Sequence, residues 1–266
     1  MTMTKLAVFF LFALSAFGQS DNNHWMNVLA TSSQQGEEAA QEIEERTLPA
    51  YKKASQELLE AIKTGKLPSE VAKAEKTFSD AELALYEGAS QAWLAQKSIP
   101  DAAGFALRDG NISKKQLDEA IVLVDKLKKY EIYHWVKDKV IYQKLFEYAT
   151  SSGRSLLREF DKAVKVRSKT VKDLKRQVGD EAYANRLEQA HQEVSRLAEE
   201  LTAAWVLLLS SKFEFEEGRL TAKKYEEAKE LQAKIREQAE RRWLSQEELT
   251  LYERASGRPR ATLVMR

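Results

Sequence analysis

The stretch SLLREFDKAVKVRSKTVKDLKRQV, residues 155–178, decides the fold class. Its apolar side chains recur at intervals of three, four and seven residues, a spacing that places them along one face of a helix. Arg167 interrupts this seam. Residues 164–171 also alternate as a strand would, but the helical seam is longer and therefore favours a helix. The seam positions are Leu157, Phe160, Val164, Val171, Leu174 and Val178.

The rest of the chain has the composition of long helices. Ala, Glu, Lys, Leu, Arg and Gln dominate, whereas the 266 residues include only ten glycines and four prolines. Most of these glycines follow an apolar periodic segment, where a left-handed residue commonly ends a helix. We therefore predict an all-α protein, with long antiparallel helices that form coiled-coil-like hairpins or an elongated helical bundle.

Glycine, proline and serine divide the chain into predicted helices. Each predicted break falls where a residue ends a helix or caps the next one. The predicted helices cover residues 34–46, 47–65, 68–96, 113–150, 155–178, 180–217 and 221–255. The predicted breaks lie at Thr47-Leu48-Pro49, Gly65, Ile99-Pro100-Asp101, Gly110, Ser151-Ser152-Gly153, Gly179, Gly218 and Gly257.

Residues 1–18 have the pattern of a secretory signal peptide. Lys5 precedes the uncharged run LAVFFLFALSAF, and Ala16 and Gly18 satisfy the small-x-small rule for cleavage. The run is too short to span a bilayer comfortably, which favours a cleaved leader over a membrane anchor. We expect an exported protein that is located in the periplasm or associated with the outer membrane. The predicted parts are a signal peptide at 1–18, a helical domain at 19–257 and a flexible tail at 258–266.

Charge and cysteine content exclude several classes of function. The chain carries 42 Lys and Arg against 41 Asp and Glu, and Lys5 lies in the predicted leader, so the mature chain would be formally neutral. A neutral chain with interspersed charges gives no electrostatic reason to bind nucleic acid. The absence of cysteine excludes thiolate nucleophiles, disulfides and thiolate metal sites. No phosphate-binding loop or nucleophile elbow accompanies a predicted strand, so we expect no small-molecule cofactor and no enzymatic activity.

Two E-x-x-H motifs form the sharpest metal-ligating pattern in the sequence. Glu131 and His134 form one, and Glu188 and His191 form the other. Residues three apart share a helix face, and two such motifs with two further glutamates would make the di-metal site of a ferritin-like bundle. Acidic residues are abundant here, however, and the same motif arises on solvated helix faces. We therefore favour no metal site and keep these four residues as candidates.

Three segments share the form G-x-[LI]-[PST]: residues 65–68, 110–113 and 218–221. Helix capping alone can produce this pattern. Two longer stretches that contain it resemble the periplasmic helical repeat of TolC-like outer-membrane efflux proteins. They are AIKTGKLPSEVAKAEKTFSDAELALYEGASQAWLAQ, residues 61–96, and KFEFEEGRLTAKKYEEAKELQAKIREQAERRWLSQEELTLYERASG, residues 212–257. The resemblance is limited to helical-hairpin segments and covers about a third of the chain.

This resemblance implies a non-enzymatic envelope protein, a component or relative of an efflux or export assembly. The expected partners are other envelope proteins, or further copies of the chain that associate through helix seams. One alternative is a free-standing periplasmic helical bundle that serves as a protein-binding scaffold, and a third is the ferritin-like di-metal protein.

The resemblance also predicts which side chains face a helix seam. These are Leu67, Ala74, Phe78, Leu85 and Trp93 in the first stretch, and Leu220, Tyr225, Ala228, Leu231, Ile235 and Trp243 in the second. The aromatic residues between the two stretches are expected to pack in the core or in a helix seam rather than to form a ligand cage. They are Tyr130, Tyr133, Trp135, Tyr142, Phe146 and Tyr148.

Overall fold

The structure, a computed structural model, describes residues 24–135, 139–176 and 181–259. It is 90% helical, and the described residues contain no strand, so the all-α prediction is confirmed. The predicted signal peptide and residues 260–266 of the predicted tail lie outside the described residues and stay predictions. The helices are α1 (His24–Glu42), α2 (Leu48–Lys63), α3 (Pro68–Arg108), α4 (Lys114–Lys128), α5 (Glu131–Trp135), α6 (Lys139–Arg176), α7 (Glu181–Leu209), α8 (Ser211–Glu216), α9 (Ala222–Ala239) and α10 (Gln246–Ser256).

The chain divides into two compact units. Of the described residues, the first contains 24–51 and 81–135, and the second contains 52–80, 139–176 and 181–259. Two of the boundaries fall inside α2 and α3, and the third lies between α5 and α6, outside the described residues. Among the described residues, none of the helices combines the length and the apolar character needed to cross a bilayer.

The core of the first unit is rich in alanine. Small side chains on α1, α3 and α4 let the helix backbones approach closely, and Gly36 on α1 lies at one such close approach. A Cβ atom at Gly36 would lie 2.9 Å from Leu127 Cδ1 and 3.1 Å from Ala95 Cβ. The buried residues of this core are Ala39, Ala40, Ile43, Leu85, Ala92, Ala95, Ile99, Ala103, Ala106, Ile112, Ala120, Val124, Leu127 and Tyr130.

The second unit is built on an antiparallel hairpin of α6 and α7. Contacts between the two helices run in reverse order, because Gly153 lies beside Ala204 and Arg167 lies beside His191. The described part of the seam predicted from residues 155–178 faces this partner, and Phe160, Val164, Val171 and Leu174 are buried. Val178 lies outside the described residues. Leu157 is half-buried, and Leu156 is the buried residue of that turn. Helix is therefore the correct choice over strand for residues 164–171.

The predicted break at Ile99-Pro100-Asp101 is wrong, because α3 continues through Pro100 to Arg108. A proline inside a helix removes one backbone hydrogen bond and normally bends or ends it. Here the neighbours Ile99, Ala102 and Ala103 are all fully buried, while Pro100 is exposed. Burial of that apolar face outweighs the local cost.

The predicted break at Ser151-Ser152-Gly153 is also wrong, since α6 runs unbroken across it. The Ser152 hydroxyl donates to the Tyr148 carbonyl at 2.8 Å, so the side chain is satisfied within the helix. Gly153 does not end the helix; its lack of a side chain lets α9 pack closely against α6. A Cβ atom there would lie 3.3 Å from Leu231 Cδ2, which shows how closely α9 approaches α6.

Three predicted long helices are divided in the structure. The helix predicted for 180–217 is interrupted at Ser210, between α7 and α8. The helix predicted for 113–150 ends at Lys128, and after a turn α5 begins at Glu131; residues 136–138, between α5 and α6, lie outside the described residues. The helix predicted for 221–255 ends at Ala239, and a 3₁₀ turn over Glu240–Arg242 leads to a new N-cap. That cap is Ser245, whose hydroxyl accepts from the Glu248 amide while the Glu248 carboxylate accepts from the Ser245 amide. Because such a reciprocal pair strongly favours a helix start, α10 is an independent helix.

The Thr47-Leu48-Pro49 segment does not start a separate helix after a turn. The helix widens into a π-helical segment over Ile43–Thr47 and continues directly as α2. The Leu48 amide donates to the Ile43 carbonyl, the wider spacing of a π-helix. Pro49 lacks the amide that a regular helix would need there, and the local widening accommodates it.

In the G-x-[LI]-[PST] segments, the glycine prediction is confirmed in all three and the N-cap prediction in the second and third. Gly65, Gly110 and Gly218 all have positive φ, at 64°, 75° and 70°. Ser113 and Thr221 cap the helices that follow, and each side chain accepts from the backbone amide three residues later. Gly257 ends α10 in the same left-handed conformation, with φ 65°. Gly179 lies outside the described residues.

Candidate functional site

The most unusual polar group of the second unit is the buried guanidinium of Arg167. Arg167 occupies a position in the hydrophobic seam of α6, and although its side chain is charged, the residue is only 5% exposed. Its Nη1 and Nη2 atoms each donate a hydrogen bond of 2.6 Å, to the carbonyls of Arg242 and Arg241, and Nη2 also reaches the Trp243 carbonyl at 3.4 Å. These carbonyls lie at the end of the 3₁₀ turn, where helical partners are lacking. Arg167 thus fastens the α9–α10 connection to the hairpin.

His191 lies against Arg167 from the opposing helix. Its Nδ1 atom is 3.4 Å from Arg167 Nη1, and the imidazole is 5% exposed. A guanidinium can only donate, so Nδ1 must act as the acceptor and the neutral ring carries its proton on Nε2. Burial lowers the pKa of His191, the Arg167 charge lowers it further, and the Glu248 carboxylate opposes both effects.

Glu188, one turn before His191, joins the hairpin to the C-terminal helix. Its Oε2 atom accepts from the Tyr252 hydroxyl and from Arg258 Nη1, both at 3.1 Å. Burial, followed by the hydrogen bond to Glu188, raises the pKa of Tyr252. Arg258, in the predicted tail, also pairs with Glu181 at 3.2 Å. We call Arg167, Glu188, His191, Tyr252 and Arg258 the hairpin polar cluster.

The other E-x-x-H motif belongs to the first unit. The His134 ring has an aromatic environment, with ring centroids 5.0 Å from Trp93 and 5.4 Å from Tyr86. Burial lowers the pKa of His134, and the charge of Glu131 opposes this. The two motifs therefore lie in separate compact units.

The described residues contain no group of three or more His, Asp or Glu side chains placed to hold a metal ion. Each candidate pair instead has its own local surroundings: the carboxylate of Glu188 accepts from a tyrosine and an arginine, and His191 contacts an arginine. An adjacent guanidinium disfavours metal binding at His191 electrostatically. We assign no metal or cofactor role to these residues.

Of the eleven predicted seam residues, six are buried, three are half-buried and two are exposed. Phe78, Leu85, Leu220, Ala228, Leu231 and Ile235 are buried, while Ala74, Trp93 and Tyr225 are half-buried. Leu67 is 46% exposed and Trp243 is 58% exposed, so the prediction is wrong for both within this chain. Leu67 precedes the first residue of α3, and Trp243 follows the last residue of the 3₁₀ turn. Helical periodicity therefore applies to neither.

The aromatic residues around α5 and α6 pack mainly in core positions. Tyr130 is buried in the first unit, and Tyr142 and Phe146 are buried in the second. Tyr133 and Tyr148 are half-buried, and Tyr142 meets Phe78 edge-on with centroids 5.9 Å apart. The side chain of Trp135 lies outside the described set. The prediction that these aromatic residues pack in the core is thus confirmed for Tyr130, Tyr142 and Phe146.

A surface groove of 490 Å³ lies between α6 and the start of α9. Its charged side chains are of both signs and partly neutralise one another: Arg154 pairs with Glu227 at 3.4 Å and Lys224 pairs with Glu147 at 3.3 Å. The hydroxyl oxygen of Thr150, which lines the groove, is buried below its surface. The groove therefore presents no arrangement that selects one kind of ligand.

The sequence indicated part of the hairpin polar cluster. Arg167 was visible as a charged residue in an apolar seam, and Glu188 and His191 were visible as a motif. The roles of Tyr252 and Arg258 were missed, because both contact Glu188 across more than 60 residues of chain.

No family model matches the chain, and neither a curated protein nor a solved structure matches it.

Proposed function

We propose that this chain is a non-enzymatic envelope protein that works through protein contacts, as a helical-hairpin component or relative of an export or efflux assembly. The observation that carries the proposal is the α6–α7 hairpin, with helices of 38 and 29 residues. At 1.5 Å per residue these helices are about 57 and about 43 Å long. A hairpin of this length offers an extended surface to a partner.

The two stretches that resemble the TolC-like repeat add support. Gly65 and Gly218 adopt the same left-handed conformation, and each is followed within four residues by a new helix. The helix after Gly65 has 41 residues, whereas the helix after Gly218 has 18. The second stretch is therefore a shorter element than the first, and the proposal rests on hairpin architecture rather than on equal repeats.

Exposed apolar side chains on the hairpin suggest where a partner would bind. Val166 on α6 is 59% exposed, and Val206 and Leu209 on α7 are also exposed. Single exposed apolar residues are common on protein surfaces and do not by themselves mark an interface. These three positions are therefore the sites at which we would probe for a partner.

The first experiment tests export. Native expression followed by fractionation and mass spectrometry should place the protein in the envelope, with a mature N-terminus at Gln19 or Asp21. A full-length chain in the cytoplasm would overturn the envelope part of the proposal.

The second experiment tests contacts of the hairpin. A photo-crosslinking amino acid at Val166 or Val206 should give a discrete adduct, either with a second copy of the chain or with another envelope protein. Val122 on α4, which is 69% exposed, is a matched valine outside the hairpin and should give none. A hairpin that forms no adduct, in a chain that is strictly monomeric by light scattering, would contradict the proposed role. The efflux assignment itself is tested separately, by deleting the gene and measuring the export of drugs or metal ions. Impaired export would support the assignment.

A further inference from the structure

The α9–α10 connection is held by one buried cation. Its three carbonyl acceptors, at residues 241–243, receive their hydrogen bonds from the single guanidinium of Arg167. Beyond this connection, Leu244, Tyr252 and Ala255 pack against Val171, Leu174, Ala184 and Leu187 of the hairpin. We call residues 241–256 the C-terminal clasp. The Arg167 guanidinium is the buried polar contact that joins the first residues of the clasp to α6.

The Arg167 guanidinium is in turn positioned by a titratable neighbour. His191 Nδ1, at 3.4 Å, can face a guanidinium only as a lone-pair acceptor. A protonated imidazole would place a donor and a second positive charge against Arg167 in a buried setting. Arginine does not release its proton in this pH range, so the repulsion must be relieved by movement.

The surrounding charges do not cancel this repulsion. On α10, Glu248 is the carboxylate that acts on both groups, and it is already bonded to the Ser245 amide at 2.7 Å. On α7, Glu188 accepts from Tyr252 and Arg258. On the 3₁₀ turn, the Arg241 side chain adds a positive charge that pairs with Asp161 of α6 at 2.6 Å. Among the described residues, the hydrogen-bond contact of the His191 ring is with the Arg167 guanidinium and not with a carboxylate.

We propose that the C-terminal clasp is released by acid: protonation of His191 displaces the Arg167 guanidinium from the 241–243 carbonyls and loosens α10 from the α6–α7 hairpin. The direction follows from linkage. Burial and Arg167 lower the pKa of His191 in the fold, so the unfolded or released state binds a proton first as the pH falls. The clasp is fully held above the ordinary histidine pKa of about 6.5 and weakens below it.

The test is hydrogen exchange of the full-length mature chain between pH 8 and pH 5, read by mass spectrometry and corrected for intrinsic exchange rates. Protection of amides in residues 246–256 should fall on acidification, by at most about tenfold per pH unit because one proton is linked. His191→Gln retains an acceptor for Arg167 but cannot titrate, so its clasp should show no such loss. His134→Gln, in the first unit, is the matched control and should behave as the wild type does.

A second measurement does not depend on a folded His191 variant. The His191 ring resonance of the wild-type chain, assigned by elimination with His24→Gln and His134→Gln, should titrate below the ordinary histidine range and in step with the loss of protection. Equal acid-induced exchange in wild type and His191→Gln would overturn the proposal. So would a His191 ring that titrates while α10 keeps its protection.

Discussion

Alanine in place of Gly36 should destabilise the first unit, whereas the same change at Gly104 should stabilise it. Both glycines lie inside helices, and neither has positive φ. The change in backbone conformational entropy therefore contributes equally to the free energy of unfolding at the two positions. Their surroundings differ: a Cβ at Gly36 would be 3.1 Å from Ala95 Cβ, and a Cβ at Gly104 would have no atom within 4 Å.

The magnitude follows from two opposing terms. Alanine inside a helix is favoured over glycine by about 1 kcal/mol, and Gly104→Ala should gain nearly all of it. At Gly36 the added methyl group overpacks a dense core, which costs about 1–3 kcal/mol. Leu127 can rotate its terminal methyl away, but Ala95 Cβ is fixed to the α3 backbone and cannot. The two variants should therefore differ by about 1–3 kcal/mol in the free energy of unfolding, with Gly36→Ala the less stable.

Urea unfolding followed by circular dichroism measures this difference, with unfolding midpoints and slopes compared at one protein concentration. Similar slopes would indicate that the variants unfold from comparably compact states. If Gly36→Ala gained as much stability as Gly104→Ala, the close approach of α1 to α3 would be wrong, and with it the packing assigned to the first unit.

Three further changes test the second unit. Arg167→Met removes two short charge-assisted hydrogen bonds and should lower the free energy of unfolding by about 2–3 kcal/mol in urea titrations; no loss would refute the fastening role of Arg167. Ser245→Ala removes the α10 N-cap and should cost about 1 kcal/mol by the same assay, while an unchanged midpoint would contradict the capping box. Burial raises the pKa of Tyr148 to about 12, so an alkaline absorbance titration should show a late phase that is smaller in Tyr148→Phe. The fold keeps this phenol neutral, and the associated stability should persist below about pH 10 and disappear as the pH rises towards 12.

Local signals predicted the elements whose causes are local. The left-handed glycines at 65, 110, 218 and 257 and the caps at Ser113 and Thr221 depend on residues within one helical turn of each other. The Ser245–Glu248 capping box was equally readable, but the helical composition of residues 221–255 concealed it.

Local signals failed where packing opposed them. Pro100 and the Ser151–Gly153 segment are unfavourable in a helix, yet both lie inside one. At the first, the flanking residues of α3 are fully buried; at the second, Gly153 permits the close approach of α9. Both compensations come from residues far away in sequence, and no local window contains them.

The hairpin polar cluster shows the same division. The sequence by itself determined that the chain is helical, that residues 155–178 form a seam, and that Arg167 breaks it, because helical periodicity and glycine stereochemistry are properties of short segments. Only the tertiary structure decided that the Arg167 guanidinium binds carbonyls more than 70 residues away, and that His191 faces this cation. A buried charge requires partners, but sequence does not say which distant groups will supply them, since that depends on how the helices pack against one another.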